Sequence, residues 1–184
     1  MTAVILACGP SLKKHEVAYV RGKATVYAVN NAFELAPWAE YLYACDYEWW
    51  KYYKPEFSGQ KWTQNPDAAQ EFGLNYIKGK PNKAFSTEQD HIATGGNSGF
   101  QALNLAVLHG HKRIILLGFD YKNSGKHFFG EHPSPLNKHP DMKRWVQSMN
   151  KAAPIIKSLG VEVFNCNPHS AIECFPKKAL IEVL

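Results

Sequence analysis

The sequence has no apolar run long enough to cross a bilayer, and its first residues pass straight into a strand-like run without a charged, apolar leader. Both absences lead to the expectation of a cytoplasmic protein with no membrane span. Cysteine is scarce: Cys8, Cys45, Cys166 and Cys174 are scattered without metal-type spacing. Reduced, mostly buried thiols are therefore expected rather than a disulfide framework. A G-x-x-x-x-G-K-[ST] loop is missing, which argues against a P-loop enzyme. There is no internal repeat and no low-complexity tract. The formal net charge of +5 comes from dispersed Lys and Arg, which suits an anionic small molecule and gives no indication of nucleic acid.

What is present centres on residues 94–121. A glycine-rich turn, Gly95-Gly96-Asn97-Ser98-Gly99, opens a run with Phe100, Leu103 and Val107 at helical spacing, and Gly110 stands where a C′ glycine belongs. Arg113-Ile114-Ile115-Leu116-Leu117 then reads as a strand buried on both faces, ending at Gly118, Asp120 and Tyr121. Backbone N–H groups feeding a helix N-terminus make an anion site, because unpaired donors and the dipole both favour negative charge.

The rest of the chain repeats that arrangement. Residues 3–8 form a first strand released into Gly9-Pro10-Ser11-Leu12, where Ser11 is placed to cap a short helix running toward Tyr19. Strands at 24–29, 41–45 and 161–164 end in Asn30-Asn31, in Asp46, and in Asn165 followed by Asn167 and Ser170. Strand–helix alternation implies a mostly parallel, doubly wound, Rossmann-like α/β sheet in one domain, whose ligands bind outside the carboxyl ends of the strands. Two segments stand outside the pattern. An aromatic-rich stretch at about 47–90 reads as an insertion that covers the core, walls a cleft or forms a homo-oligomer interface. Residues 122–144, rich in Pro and His, read as a lid over the cleft. In that loop His127, His132 and His139 are candidates for a general acid or base beside Asp120. Zinc on His127, His132 and Asp120 fits no standard ligand spacing. Residues 145–159 read as an amphipathic helix interrupted by Pro154.

Several of these motifs, taken as a set, carry a resemblance. Gly9-Pro10-Ser11-Leu12, Asn30-Asn31, Thr94-Gly95-Gly96-Asn97-Ser98-Gly99, Leu117-Gly118-Phe119-Asp120-Tyr121 and the tail around Asn165, Asn167, Ser170 and Phe175-Pro176 resemble the bacterial sialyltransferases of glycosyltransferase family forty-two. They are similar too to the wider DUF115-type group, which includes archaeal 6-hydroxymethylpterin diphosphokinases; the 127–133 segment looks most like small phage-encoded members. The resemblance implies that Gly9, Pro10, Ser11, Asn30 or Asn31, Thr94, Asn97, Ser98 and Gly99 hold the cytidine monophosphate of a donor. Gly96, Gly118, Asp46, Asn165, Asn167 and Ser170 complete the expected nucleotide rim. Tyr121 would lie near the donor phosphate, and a loop histidine would act as base toward a small-molecule or glycan acceptor. The expectation is thus a nucleotide-sugar glycosyltransferase that requires no metal. The alternatives are magnesium-dependent phosphoryl or pyrophosphoryl transfer from ATP, with Asp46 and Asp120 on the metal, and a non-catalytic nucleotide-binding module.

Overall fold

The structure is a computed structural model that describes residues 1–122, 127–134, 136 and 140–184. Its central strands are those whose residues are apolar without alternation. In β1 (Thr2–Leu6), Ala3 and Ile5 pack into one core layer and Val4 and Leu6 into the other. β8 (Arg113–Leu117) does the same, with Ile114 and Leu116 on the first side and Ile115 and Leu117 on the second. Only a strand covered on both faces needs such a run.

Seven strands form one sheet, in which every pairing is parallel. Its spatial order is β5 (Asn75–Tyr76), β4 (Gln60–Thr63), β3 (Tyr41–Tyr43), β2 (Thr25–Val29), β1, β8, β9 (Glu162–Asn165). The register runs from Thr2↔Arg113 to Leu6↔Leu117 on one side of β1, and from Ala3↔Thr25 to Leu6↔Ala28 on the other. The chain winds outward from β1 to β5, then crosses back to lay β8 and β9 on the opposite side. The order therefore reverses between β1 and β8, the place where ligands of such sheets bind.

Helices cover both faces, as a doubly wound α/β fold requires. On one side lie α4 (Ser98–Leu108) and α5 (Met142–Ser158); on the other lie α1 (Lys14–Val20), α2 (Tyr47–Tyr53), α3 (Pro66–Phe72) and α6 (Leu180–Val183). Nearly all of α4 is buried, polar residues included. Asn104 is held by Ser86 and Ala93, which ties the segment before the helix, including the small β6 (Lys78–Lys80)–β7 (His91–Ala93) pair, to its flank. At the C-terminus Gly110 (φ 86°) takes the expected C′ position, with Gly110 N–H on Val107 O and His111 N–H on Ala106 O.

Three expectations are corrected. The 47–90 stretch is no insertion, because α2, α3, β4 and β5 extend the sheet by two strands. Those strands are short, β5 is exposed at the sheet edge and β4 beside it is only partly buried, so they lack the apolar signature of the centre. Ser11 does not cap α1, whose N-cap is Lys13 with no side-chain bond; Ser11 bonds elsewhere. Helix α5 starts earlier and continues through Pro154, which sits on its exposed side.

Candidate functional site

At the reversal of strand order, a cavity of about 140 Å³ opens among four loop ends. Gly9 and Pro10 come from the end of β1, Asn30 from β2, and Gly118, Asp120 and Tyr121 from β8. Asn97, the N-cap of α4, and Ser98 and Gly99, its first two residues, also line it. Lys122, His127, Met142 and Trp145 stand around the mouth.

The geometry is fixed by close backbone approach. A Cβ on Gly9 would overlap Gly118 O and the Asp120 carboxylate, and one on Gly118 would meet Ala7 O at 2.5 Å. Gly9 N–H donates to Gly118 O at 2.9 Å, which zips the two loops together. Asp120 then locks them. Its Oδ2 accepts from Ser11 Oγ (2.7 Å) and Ser11 N–H (3.2 Å), and its Oδ1 accepts from Asn167 Nδ2 (2.9 Å).

Asn97 caps α4. Its Oδ1 accepts from Phe100 N–H (2.9 Å) and from the Tyr121 hydroxyl (2.7 Å), which fixes the amide's orientation. The Tyr121 phenol is held protonated, since burial pushes its pKa up further than the bond to Asn97 lowers it. Two polar atoms of the lining residues are left over. Among the described residues, Asn97 Nδ2, in a residue only 9% exposed, has no hydrogen-bond partner, and neither does the buried Asn30 Oδ1. Asn30 also takes a left-handed backbone (φ 47°), which Asn tolerates better than most residues but which costs free energy. Both residues belong to the lining of the same cavity.

The other expected residues divide. Ser98 lines the cavity, and its Oγ accepts from Cys45 N–H. His127 lines the mouth; burial lowers its pKa, and the carbonyl of Cys8 partly offsets that. His132 stands behind it, ring centroids 4.7 Å apart, with Tyr53 OH 3.4 Å from its Nδ1. Burial, with repulsion from His127, brings His132 down to about 4 against a raising influence of Asp46. His139 lies outside the described residues. Asn31 is buried away from the cavity, with Nδ2 on Glu34 and Oδ1 taken by Trp49. Asn165, Asn167 and Ser170 are struts beneath it: Asn165 Oδ1 accepts from Asn167 N–H, and Ser170 Oγ donates to Phe119 O. Thr94 and Gly96 face a different cavity. Asp46 does not line the first one, so Asp46 and the fully engaged Asp120 form no two-carboxylate metal clamp as they stand. Among the described residues, the one group of three donors close enough for a metal ion is Glu88, Asp90 and His91, and His127, His132 and Asp120 do not gather.

Sequence reasoning missed Lys122, Met142 and Trp145, whose types carry no site signature until the fold brings α5 against the α4 turn. Cys8 also lines the cavity, but it donates to Val29 O and burial pushes its thiol up to about 12, so it is no nucleophile near neutrality.

Fold and site define a doubly wound parallel α/β protein with a cavity at the switch point of its sheet, its lining mostly apolar with a few polar groups. No protein-family model matches the sequence, and no curated protein matches it. Among solved structures the chain is similar to the sialyltransferase CstII in complex with a trisaccharide acceptor and CMP. There the identity is 13%, the TM-score 0.48, and the match covers 97% of this chain and 86% of that one. It is similar too to CstII from Campylobacter jejuni in complex with the substrate analogue cytidine-5′-monophosphate, at 15% identity and TM-score 0.46, covering 97% and 84%. The family named from the sequence motifs therefore stands as a resemblance, and the fold rests on the strand order and register given above.

Proposed function

We propose that the chain is a nucleotide-dependent transferase that moves a glycosyl group from a nucleotide-activated sugar to an acceptor hydroxyl. The observation that carries this reading is that two residues lining one cavity beside the N-terminus of α4, Asn97 and Asn30, each keep a buried polar atom without a partner among the described residues. A buried polar group without a partner costs about 1–3 kcal/mol, a cost a protein retains where a ligand removes it. The donor amide and the helix terminus suit a phosphate oxygen, and the acceptor oxygen suits a ribose hydroxyl or an exocyclic amine. At about 140 Å³ the cavity is smaller than the roughly 300 Å³ at which ligand pockets usually begin. It encloses the phosphate and part of the nucleoside, and the remainder lies across the mouth near Trp145.

In this reading His127, neutral because burial lowers its pKa, takes the proton of the acceptor hydroxyl. The acceptor oxygen bonds the anomeric carbon as the bond from that carbon to the nucleotide phosphate oxygen breaks. The electron pair stays on the phosphate, where Lys122, Asn97 Nδ2 and the α4 terminus stabilise it. Tyr121 is a positioning residue, since its hydroxyl proton is committed to Asn97. Asp120 holds the loops in register and takes no part in proton transfer.

The test is calorimetry and thermal shift with CMP, UMP, GMP and AMP, with and without magnesium, followed by transfer assays with the matching sugar nucleotide. Binding of one monophosphate, with His127→Gln keeping that affinity while turnover falls by about 10²–10⁴, supports the proposal. Absence of binding by all four overturns it. Consumption of ATP only with magnesium points instead to phosphoryl transfer, and binding without any turnover to a sequestering module.

A further inference from the structure

We propose that a second cavity, on the far side of Trp145, binds the anionic part of a saccharide. This cavity is larger, about 610 Å³, well inside the range of ligand sites. Its floor is one face of α5, where Arg144, Gln147, Ser148 and Lys151 fall at i, i+3, i+4 and i+7. The facing wall is the turn at 94–96 with the segment 81–84, which adds Lys83 and Asn82.

Three cations line this space and, among the described residues, no carboxylate does. Lys83 is paired with Glu88; Arg144 and Lys151 have no ion-pair partner among the described residues. Two like charges sharing a concave surface repel, and the field between them favours an anion. The Gly95 and Gly96 N–H groups make no hydrogen bond among the described residues, which adds two unpaired donors to the same wall. Gly95 (φ 54°) and Gly96 (φ 85°) need their glycines for the backbone, and a Cβ on Gly96 would stand 3.3 Å from the Trp145 ring. Trp145 thus forms a partition, with Gly96 on one side and Tyr121, 5.6 Å between ring centroids, on the other.

Cations alone would take any anion. The remaining groups, Asn82 and Gln147, are amides of the kind that bind sugar hydroxyls by paired donation and acceptance, while the Ser148 hydroxyl donates to Arg144 O and is left to accept. The ligand class is therefore a sugar carrying a phosphate or a carboxylate. That this sugar is the acceptor, delivered past Trp145 to His127, rests on the transferase reading; the binding itself does not.

The experiment is an amide NMR titration of the full chain with glucose 6-phosphate, glucuronate, glucose and inorganic phosphate, on the native protein and on R144A/K151A. Both substituted residues are exposed, so the double variant should keep its fold, and its melting temperature checks that. Either charged sugar should shift the Gly95, Gly96 and Lys83 amides and bind at least tenfold more tightly than glucose and than inorganic phosphate. Which of the two binds identifies the charge. The double variant should lose tenfold or more of that affinity and keep CMP affinity within twofold. Glucose binding as well as the charged sugars, phosphate binding as well as the sugar phosphate, or an unaffected double variant would each overturn the proposal. CMP failing to bind a protein that still takes the charged sugar would remove the transferase reading alone.

Discussion

The most discriminating change is Asn97→Asp, because Asn97 has one job on each side of its amide. Its Oδ1 caps α4 and receives the Tyr121 hydroxyl, while its Nδ2 is buried with no partner among the described residues. Aspartate keeps the first job. It caps a helix as well as asparagine does, and a negative charge at the α4 N-terminus contributes about 0.3–1 kcal/mol. It also removes an orphan N–H that costs about 1–3 kcal/mol. Against this stands the desolvation of a carboxylate at a site 9% exposed, offset by the two hydrogen bonds it retains. Net stability should therefore stay within about 1 kcal/mol of the native protein. Binding should not survive. A hydrogen bond to a charged group is worth about 1.5–3 kcal/mol, so loss of the donor weakens a nucleoside monophosphate by roughly tenfold to a hundredfold before repulsion between the new carboxylate and the phosphate is added. Asn97→Ala is the control: it loses the cap (about 1 kcal/mol) and orphans the Tyr121 hydroxyl, partly offset by removal of the Nδ2. Urea unfolding gives the stabilities and calorimetry with CMP gives the affinities. An Asn97→Asp protein that binds CMP as the native one does would refute the reasoning. So would a loss of several kcal/mol in stability, which would mean that Nδ2 has a partner inside the protein.

Three further outcomes follow from the same geometry. Asn30→Gly relieves a left-handed backbone (φ 47°) and an unpaired acceptor, so it should leave stability equal or up to about 1 kcal/mol higher by urea titration while CMP binding weakens; Asn30→Ala should lose about 1–2 kcal/mol instead. Gly9→Ala drives a methyl group into Gly118 O and the Asp120 carboxylate, which should destabilise by about 1–3 kcal/mol and open the cavity, read as a lowered melting temperature and lost CMP binding together. His132 is held down to about 4 by burial and by His127, whereas in the unfolded chain it titrates near its ordinary value of 6.5. The unfolded state binds the proton first, so stability is fully present above pH 6.5 and falls as pH drops toward 4, by about 1–2 kcal/mol after solvent screening of a half-buried ring. His132→Gln should flatten the melting temperature between pH 7 and 4.5, and an unchanged slope would assign the acid sensitivity elsewhere.

The centre of the sheet was legible because burial on both faces leaves a strand no choice but continuous apolar residues, as in 3–6 and 114–117. The α4 turn was legible for a related reason: glycines at positive φ and an asparagine cap are demanded by backbone geometry, which is local. The edge could not be read that way. Residues 75–76 are exposed and 60–63 are only partly buried, so nothing in their composition separates a strand from a loop, and what makes them strands is pairing with a neighbour, β3 for 60–63 and β4 for 75–76. Trp145 gave no signal either, since its role as a partition depends on where α5 crosses the 94–96 turn. The Arg144, Gln147, Ser148, Lys151 stripe, by contrast, is plain in the sequence once the helix is taken back to Met142.

The polar residues at the strand ends are the harder case. Asn30, Asn31, Asn97, Asn165 and Asn167 look alike in sequence, yet physical accounting sorts them. Asn31 has both its amide atoms spent on Trp49 and Glu34, and Asn167 spends its own on Asp120 and the His169 N–H. Such amides are mortar between loops, and replacing one moves the cavity without removing a ligand contact. Asn30 and Asn97 each keep one buried atom unspent among the described residues, and both residues line the cavity. Asn165 keeps one too, on Nδ2, but it lies under the loops at 0% exposure and off the cavity lining, where no ligand reaches it. An unspent atom therefore marks a ligand site only where space adjoins it, and both conditions are three-dimensional. Sequence supplies the candidates for such a site, but the hydrogen-bond count and the cavity decide among them, and here they select Asn30 and Asn97.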